Sequence, residues 1–219
     1  MNKYIYLIAF AIMPILNMIR KIVIGQAYEL RHYITLFIPI LIYIFLGYFI
    51  TSYLKKHDFS NKFMAVTIGV LVGIDQIAKL IIYRFLGNKV ITLPGNLFML
   101  KIVKNEQISA LFNILGLTLP GWITTIARLM VLIVLLIFYR YCEEKYQKDS
   151  YLNLTKILTY AMVICSIMDS ALWGYTLDFI VFKGLQAIDI KDIYAQLGIG
   201  TLLMYGIKND LFVIKKYNN

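Results

Sequence analysis

Residues 33–54 (YITLFIPILIYIFLGYFITSYL) form an uninterrupted apolar run without a single charged side chain. A bilayer hydrocarbon core about 30 Å thick needs roughly 20 such residues in a helix. Few other environments accept a run of this length. The rest of the chain agrees: 60% of its 219 residues are hydrophobic, only 16% are charged, and proline occurs four times. Mean hydropathy is +0.73. A soluble domain of this size carries about 25% charged residues, so this chain lacks the polar surface to be one. The sequence therefore predicts an all-α polytopic membrane protein with about six transmembrane helices.

Six apolar segments are legible: about 4–19, 33–54, 63–86, 122–141, 157–173 and 192–208. The first is short, interrupted by Pro14 and Asn17, and lacks the small-residue cleavage site of a secretory signal. Between the third and fourth segments, residues 89–112 (KVITLPGNLFMLKIVKNEQISALF) are β-branched and aromatic. Broken at Pro94-Gly95-Asn96, this stretch predicts short strands flanking a turn. There is no internal repeat and no low-complexity linker. Cys142 and Cys165 supply neither a disulfide framework nor a zinc site.

Lys and Arg outnumber Asp and Glu by 22 to 12, a formal charge of +10. On a membrane protein this reads as loops meeting anionic head groups, and no nucleic-acid partner is expected. With a cytoplasmic amino terminus, the inner set is Lys3, Lys55, Lys56, Lys62, Arg140, Lys145, Lys148, Lys156, Lys208, Lys215 and Lys216. The outer set is Arg20, Lys21, Arg31, Lys89, Lys101, Lys104, Lys183 and Lys191. The bias has the sign of the positive-inside rule. Tyrosines at segment ends, among them Tyr28, Tyr33, Tyr48, Tyr53, Tyr139 and Tyr141, read as interfacial belts. His32 and His57 read as loop anchors flanking the second segment. Gly69 and Gly73, and likewise Gly198 and Gly200, read as close-packing positions.

Charges inside apolar segments are expensive unless they are paired or reach water. Asp75 and Lys79 lie four apart, on one face of the third helix, where they can staple the helix as a salt bridge or each reach a neighbour. Asp169, Asp178, Asp189 and Asp192 fall within two dozen residues, around a stretch that is itself apolar. Two carboxyls in a partly dehydrated pocket share a proton near neutral pH. Such a pair activates a water and protonates a leaving amine, as in aspartic peptidases. Helix-end capping by Asp189 and Asp192, or a proton or ion path through the bundle, fits the same residues.

The order of motifs resembles the lipoprotein signal peptidase (signal peptidase II) family. DQIAK at 75–79 is similar to its D-Q-x-x-K signature in the first core helix. The strand-like stretch resembles its next element, with Asn105 and Phe112 in matching places. IMDSALWGYTLDFI at 167–180 resembles its N-x-x-D-R-x-x-x-G-x-V-V-D-F block through Asp169, Gly174, Asp178 and Phe179. IDIKDIYAQLGIG at 188–200 resembles its F-N-x-A-D-x-x-I-x-x-G block through Asp192 and Gly198. The resemblance covers about residues 63–210. The GxGD pattern of presenilin-type proteases is absent.

The resemblance implies a four-helix membrane aspartyl endopeptidase that cuts signal peptides from diacylglyceryl-modified prolipoproteins. It places the protein in the cell membrane as a multi-pass protein, with prolipoprotein and membrane lipid as partners and no metal or organic cofactor. Asp178 and Asp192 would be the catalytic pair. Asp75, Lys79, Asn105 and Asp169 would support the site or position substrate. Residues 89–112 would form an extracytoplasmic cradle. Residues 61–219 would be the peptidase-like core, and 1–60 would add two helices without a counterpart.

Departures from the pattern leave a second reading, an inactive scaffold that binds lipoproteins, lipids or a membrane partner. Ser170 stands in place of the family's arginine, Ser166 of asparagine, Gln107 of glycine, Asp189 of asparagine and Lys191 of alanine. The Asp178 to Asp192 spacing is also a few residues short. Arg128, an otherwise unexplained intramembrane arginine, is expected to supply the charge that Asp169 has lost. Lys191 and Asp189 are expected to alter the pair, one favouring its ionised form and the other opposing it. A bridging water requires the two carboxyls within roughly 5 to 6 Å.

Overall fold

The computed structural model describes residues 3–54, 59–92, 97–105, 120–146, 148–182, 185–209 and 211. Six α-helices and four strands occur among them. In chain order they are α1 (Lys3–Val23), α2 (Leu30–Leu54), α3 (Asn61–Leu86), β1 (Ile91–Thr92), β2 (Phe98–Asn105), α4 (Gly121–Lys145), α5 (Ser150–Met168), β3 (Thr176–Phe182), β4 (Gln186–Ile188) and α6 (Ile190–Lys208). A π-helical turn over Asp169–Trp173 continues α5. Among the described residues, four helical stretches are long and apolar enough to cross a membrane: Leu30–Leu54, Asn61–Leu86, Gly121–Lys145 and Ser150–Trp173. The fold is a polytopic membrane bundle with a small antiparallel sheet.

Local chemistry explains the helix limits. Ser60 caps α3 by accepting the Phe63 N–H at 3.2 Å, and α3 stops where Gly87 takes φ +52°. The fifth segment begins at Ser150, seven residues before the expected 157. Asp149 caps it by accepting the Leu152 N–H at 2.9 Å, which outweighs the polar look of residues 150–156. Lys156 consequently lies in α5 and pairs with Glu143 of α4. The α4–α5 connection is thus a short turn. Pro14 and Pro39 both sit inside helices. His32 belongs to the first turn of α2 and is buried, with Tyr28 edge-on to its ring, so it is not a loop anchor. His57 lies outside the described residues.

The sheet order is β1-β2-β3-β4, antiparallel throughout. β1 and β2 realise the expected strand-like stretch. Phe112, Gln107 and the turn at 94–96 lie outside the described residues. β3 and β4 were not anticipated. Thr176–Phe182 reads TLDFIVF, a short apolar run that periodicity cannot separate from a helix. Between Leu100 and Val103 the β2 register shifts against β3, and beyond it Val103 faces Asp178.

Two contacts fix the ends of the bundle. Lys21, at the end of α1, donates to the Leu185 carbonyl at 2.8 Å, bringing the α1–α2 turn to the sheet. Lys208, at the end of α6, pairs with Asp149 at 2.9 Å. The α4–α5 turn is therefore at the opposite end. Near that end, Phe10, Tyr139, Leu152, Met204 and Tyr205 form a core joining α1, α4, α5 and α6. Tyr139 is part of this core, its hydroxyl 2.8 Å from Thr159 Oγ1, and is not an interfacial residue. Tyr28, Tyr33, Tyr48, Tyr53 and Tyr141 are exposed. Gly198 and Gly200 are close-packing positions, against Thr159 and Phe10 respectively. Gly69 and Gly73 are not. A Cβ at either would meet nothing within 4 Å, because that face of α3 points out of the bundle.

Candidate active site

Four elements converge where the bundle meets the sheet. α3 brings Asp75, Gln76 and Lys79, and the π-helical turn brings Asp169. β3 brings Asp178, and the start of α6 brings Asp189, Lys191 and Asp192. Asp75, Lys79, Asp169 and Asp189 have no solvent-exposed surface. An ammonium has three N–H groups, and Lys79 faces three carboxylates. Its Nζ lies 2.7 Å from Asp75 Oδ2, 2.8 Å from Asp169 Oδ2 and 2.8 Å from Asp189 Oδ2. Gln76 Nε2 donates to Asp75 at 3.0 Å and to Asp169 at 3.2 Å. The Lys191 backbone N–H donates to Asp75 Oδ1 at 3.2 Å, tying α6 to α3. Lys191 Nζ pairs with Asp189, and with Asp169 at 3.1 Å.

The charge opposite Asp169 therefore comes from Lys79 and Lys191. Arg128 does not form the expected pair with it. Its Nη1 donates to the Ser166 carbonyl and its Nη2 reaches Thr176 Oγ1 at 3.5 Å. α4 thus clamps the end of α5 to the start of β3. Ser170, where the resemblance expects arginine, accepts from Thr125 Oγ1 at 2.9 Å instead. The substitution has made the arginine position a neutral hydroxyl contact.

Beside this network lies a second carboxylate group. Asp178, Asp189 and Asp192 each offer an oxygen within 4.8 Å of the others. Asp189 is the N-cap of α6, accepting the Asp192 N–H at 3.2 Å, while Asp192 Oδ2 accepts the Asp189 N–H at 3.1 Å. This reciprocal capping box realises the capping expectation for both residues. It also holds the Asp192 carboxyl in one orientation. Asn105 Nδ2 donates to Asp178 Oδ2 at 3.4 Å. Asn105 is two residues beyond Val103, the cross-strand partner of Asp178, so the two side chains share a face of the sheet. Burial pushes the Asp178 carboxyl up to about 7; Asp189 and Asp192 add to the rise, while Lys191 and the Asn105 bond oppose it.

All seven residues singled out in the sequence lie at or beside this junction. The sequence also drew attention to Asp189 and Lys191, but not to how closely they join the Lys79 network. Gln76 was not among the expected site residues, although the glutamine of the D-Q-x-x-K signature at that position was the signal for it. Asp75, Asp169 and Asp189 could between them hold a cation. The Lys79 ammonium already occupies that position.

A sequence model of the family described as "Signal peptidase (SPase) II" matches residues 67–208, more than half of the chain. The chain belongs to the signal peptidase II family. No curated protein matches it in sequence. Two solved structures, each titled a bacterial membrane enzyme structure by the in meso method, share the fold. The one at 2.3 Å resolution has a TM-score of 0.56 and 17% identity, covering 74% of this chain and 97% of its own. The one at 1.9 Å has a TM-score of 0.55 and 16% identity, covering 68% and 96%. Both carboxylate groups fall within the family match, whereas α1 and α2 precede it.

Proposed function

We propose that this protein is a membrane aspartyl endopeptidase that removes signal peptides from diacylglyceryl-modified prolipoproteins in the cell membrane. The observation that carries the reading is the Asp178–Asp192 separation. Their carboxylate oxygens lie within 4.8 Å, a span that one hydrogen-bonded water bridges. Family membership supports the substrate class.

In this reading a water sits between the two carboxyls, which share one proton. The ionised member takes a proton from the water as it attacks the scissile carbonyl. The protonated member then gives its proton to the departing amine. The near-neutral titration of Asp178 suits it to hold that proton at physiological pH. Asn105 and the capping box each hold one carboxyl of the pair in place. Lys79, Asp75 and Asp169 hold α3, α5 and α6 in register, which sets the distance between the pair. Arg128 fixes the start of β3. Residues 61–219 constitute the peptidase core, and residues 1–60 are an added helical hairpin. The sheet end faces outward, consistent with the lysine and arginine bias.

The competing reading is an inactive scaffold, favoured by Ser170 and Ser166 where the family has arginine and asparagine. Cleavage of a lipidated prolipoprotein by the purified protein separates the two. The Asp178→Asn and Asp192→Asn variants should each lose about 10²- to 10⁴-fold in kcat/KM, the range of one general acid–base group. Wild-type turnover no faster than that of both variants would establish the scaffold reading.

A further inference from the structure

At the end of the bundle away from the carboxylate groups, α4 and α5 enclose a cavity of about 590 Å³. Small-molecule sites are commonly of this size, roughly 300–1,000 Å³. Its mouth is charged: Arg140, Glu143 and Glu144 line it from α4, Lys148 from the turn and Lys156 from α5. One helical turn further along each helix, Leu136 and Tyr160 replace the charges. α4 runs towards this end and α5 away from it, so both positions lie nearer the membrane interior. From Leu136 the exposed apolar side chains of Ile133, Leu129 and Ile126 continue along the same face of α4.

The charges in the mouth do not cancel. Three cations face two carboxylates, which leaves one positive charge. Nor are the donors used up. Lys156 is buried, yet its Nζ engages only Glu143 among the described residues, and an ammonium has three N–H groups. Lys148 Nζ stands 3.6 Å from Glu143 Oε1, beyond hydrogen-bond range. Arg140 gives its Nε–H to Glu144 at 2.9 Å, and its Nη groups meet no acceptor among the described residues. A fitting occupant is therefore singly negative, carries several acceptor oxygens and is joined to an apolar tail. A phosphodiester between a diacylglycerol and a small polyol has all three properties. Its hydroxyls also suit Glu143 and Glu144, since ionised carboxylates only accept. A free phosphate brings no tail, and a phosphoethanolamine headgroup is neutral overall and adds a fourth cation.

We propose that this cavity binds one anionic phospholipid of the phosphatidylglycerol type, drawn from the leaflet at the α4–α5 turn. Arg140, Lys148 and Lys156 hold its phosphate, and Glu143 and Glu144 accept from its headgroup hydroxyls. An acyl chain follows α4 past Leu136. The lipid ties α4 to α5 at this end, by the same attraction that draws basic segments to anionic leaflets. The proposal stands apart from the peptidase reading, whose residues lie at the other end.

Native mass spectrometry of the full-length protein in mild detergent tests it. The probes are phosphatidylglycerol, phosphatidylethanolamine and glycerophosphoglycerol, the last being the headgroup without acyl chains. One phosphatidylglycerol should be retained per protein, phosphatidylethanolamine should bind about tenfold more weakly or worse, and glycerophosphoglycerol should not compete. Arg140→Gln/Lys148→Gln should weaken phosphatidylglycerol by about tenfold or more, the worth of one charge-assisted hydrogen bond. Both side chains are largely exposed, so this variant should keep a near wild-type Tm without lipid. Lys89→Gln/Lys101→Gln, which removes equal charge from exposed positions at the sheet end, should bind as wild type. Phosphatidylglycerol should raise the Tm of wild type and not that of Arg140→Gln/Lys148→Gln. Equal retention by the two double variants overturns the site. Equal affinity for phosphatidylethanolamine overturns the headgroup, and competition by glycerophosphoglycerol overturns the requirement for a lipid tail.

Discussion

Lys79 has three N–H groups facing three fully buried carboxylates, so truncating it leaves negative charges packed together without their shared partner. Removing one member of a buried ion network typically costs about 3–5 kcal/mol. Lys79→Met should lower stability by that order, read as a fall in Tm in detergent, and should abolish cleavage with it. A variant of wild-type Tm would show that the network is dispensable. Asp178 gives a different signature. Burial raises its carboxyl to about 7 in the folded protein, against about 3.9 for a free aspartate. Between those values the folded state holds a proton that the unfolded chain has released. Stability therefore falls as pH rises across that window and levels off above about 7. Asp178→Asn should flatten this slope in a Tm–pH series. Wild-type kcat/KM should decline above about pH 7 as the shared proton is lost. Activity undiminished at pH 9 would contradict the assignment of that proton to Asp178.

Phe10 shows how the added helices join the rest of the bundle. Its ring lies against two glycines: an added Cβ would come within 2.6 Å of it at Gly47 of α2 and 2.5 Å at Gly200 of α6. Close helix approach at small residues is the usual packing device in membranes, where burial away from water gives no drive. Gly200→Ala should therefore force the ring aside. Phe10→Ala should cost on the order of 2 kcal/mol, mainly the cavity contribution. The double variant should lose clearly less than the two single losses summed, since the smaller side chain makes room for the new methyl. Strict additivity in a thermal-unfolding cycle would mean that the two residues do not meet. The other helix junctions follow similar logic through polar atoms. Tyr194 Oη donates to the Leu71 carbonyl at 3.1 Å between α6 and α3. Thr155 donates to Thr201 at 2.9 Å between α5 and α6.

For the whole molecule, the Lys21–Leu185 and Lys208–Asp149 contacts separate two ends of the bundle. The sheet and both carboxylate groups lie at one, the α4–α5 turn at the other. The proposed orientation predicts labelling from opposite sides. In a protein whose two cysteines are replaced, Lys148→Cys should react with a membrane-impermeant maleimide only after the membrane is opened. Tyr28→Cys, exposed in the α1–α2 turn, should react in intact cells. The reverse pattern would invert the topology.

The hydrophobic segments, the intramembrane aspartates and the order of the four motif blocks were all readable in the chain. Each depends on local composition: apolar length fixes a span, and a charge within it must be functional or paired. Asp75, Lys79, Asn105, Asp169, Asp178 and Asp192 could therefore be named from the sequence. Which charge meets which could not. Arg128 looked like the partner of Asp169, but packing of α3 against α5 put Lys79 there, and the capping turn of α6 added Lys191. β3 escaped notice because its strand character comes from pairing with β2 across more than seventy residues of chain. Gly69 and Gly73 shared a spacing with true packing glycines and differed only in which way α3 is turned. The sequence by itself determined what must lie in the membrane and which charged side chains must find partners, since both follow from the cost of transferring residues out of water. Only the tertiary structure decided the pairings and the second half of the sheet, because these depend on contacts between segments distant in the chain.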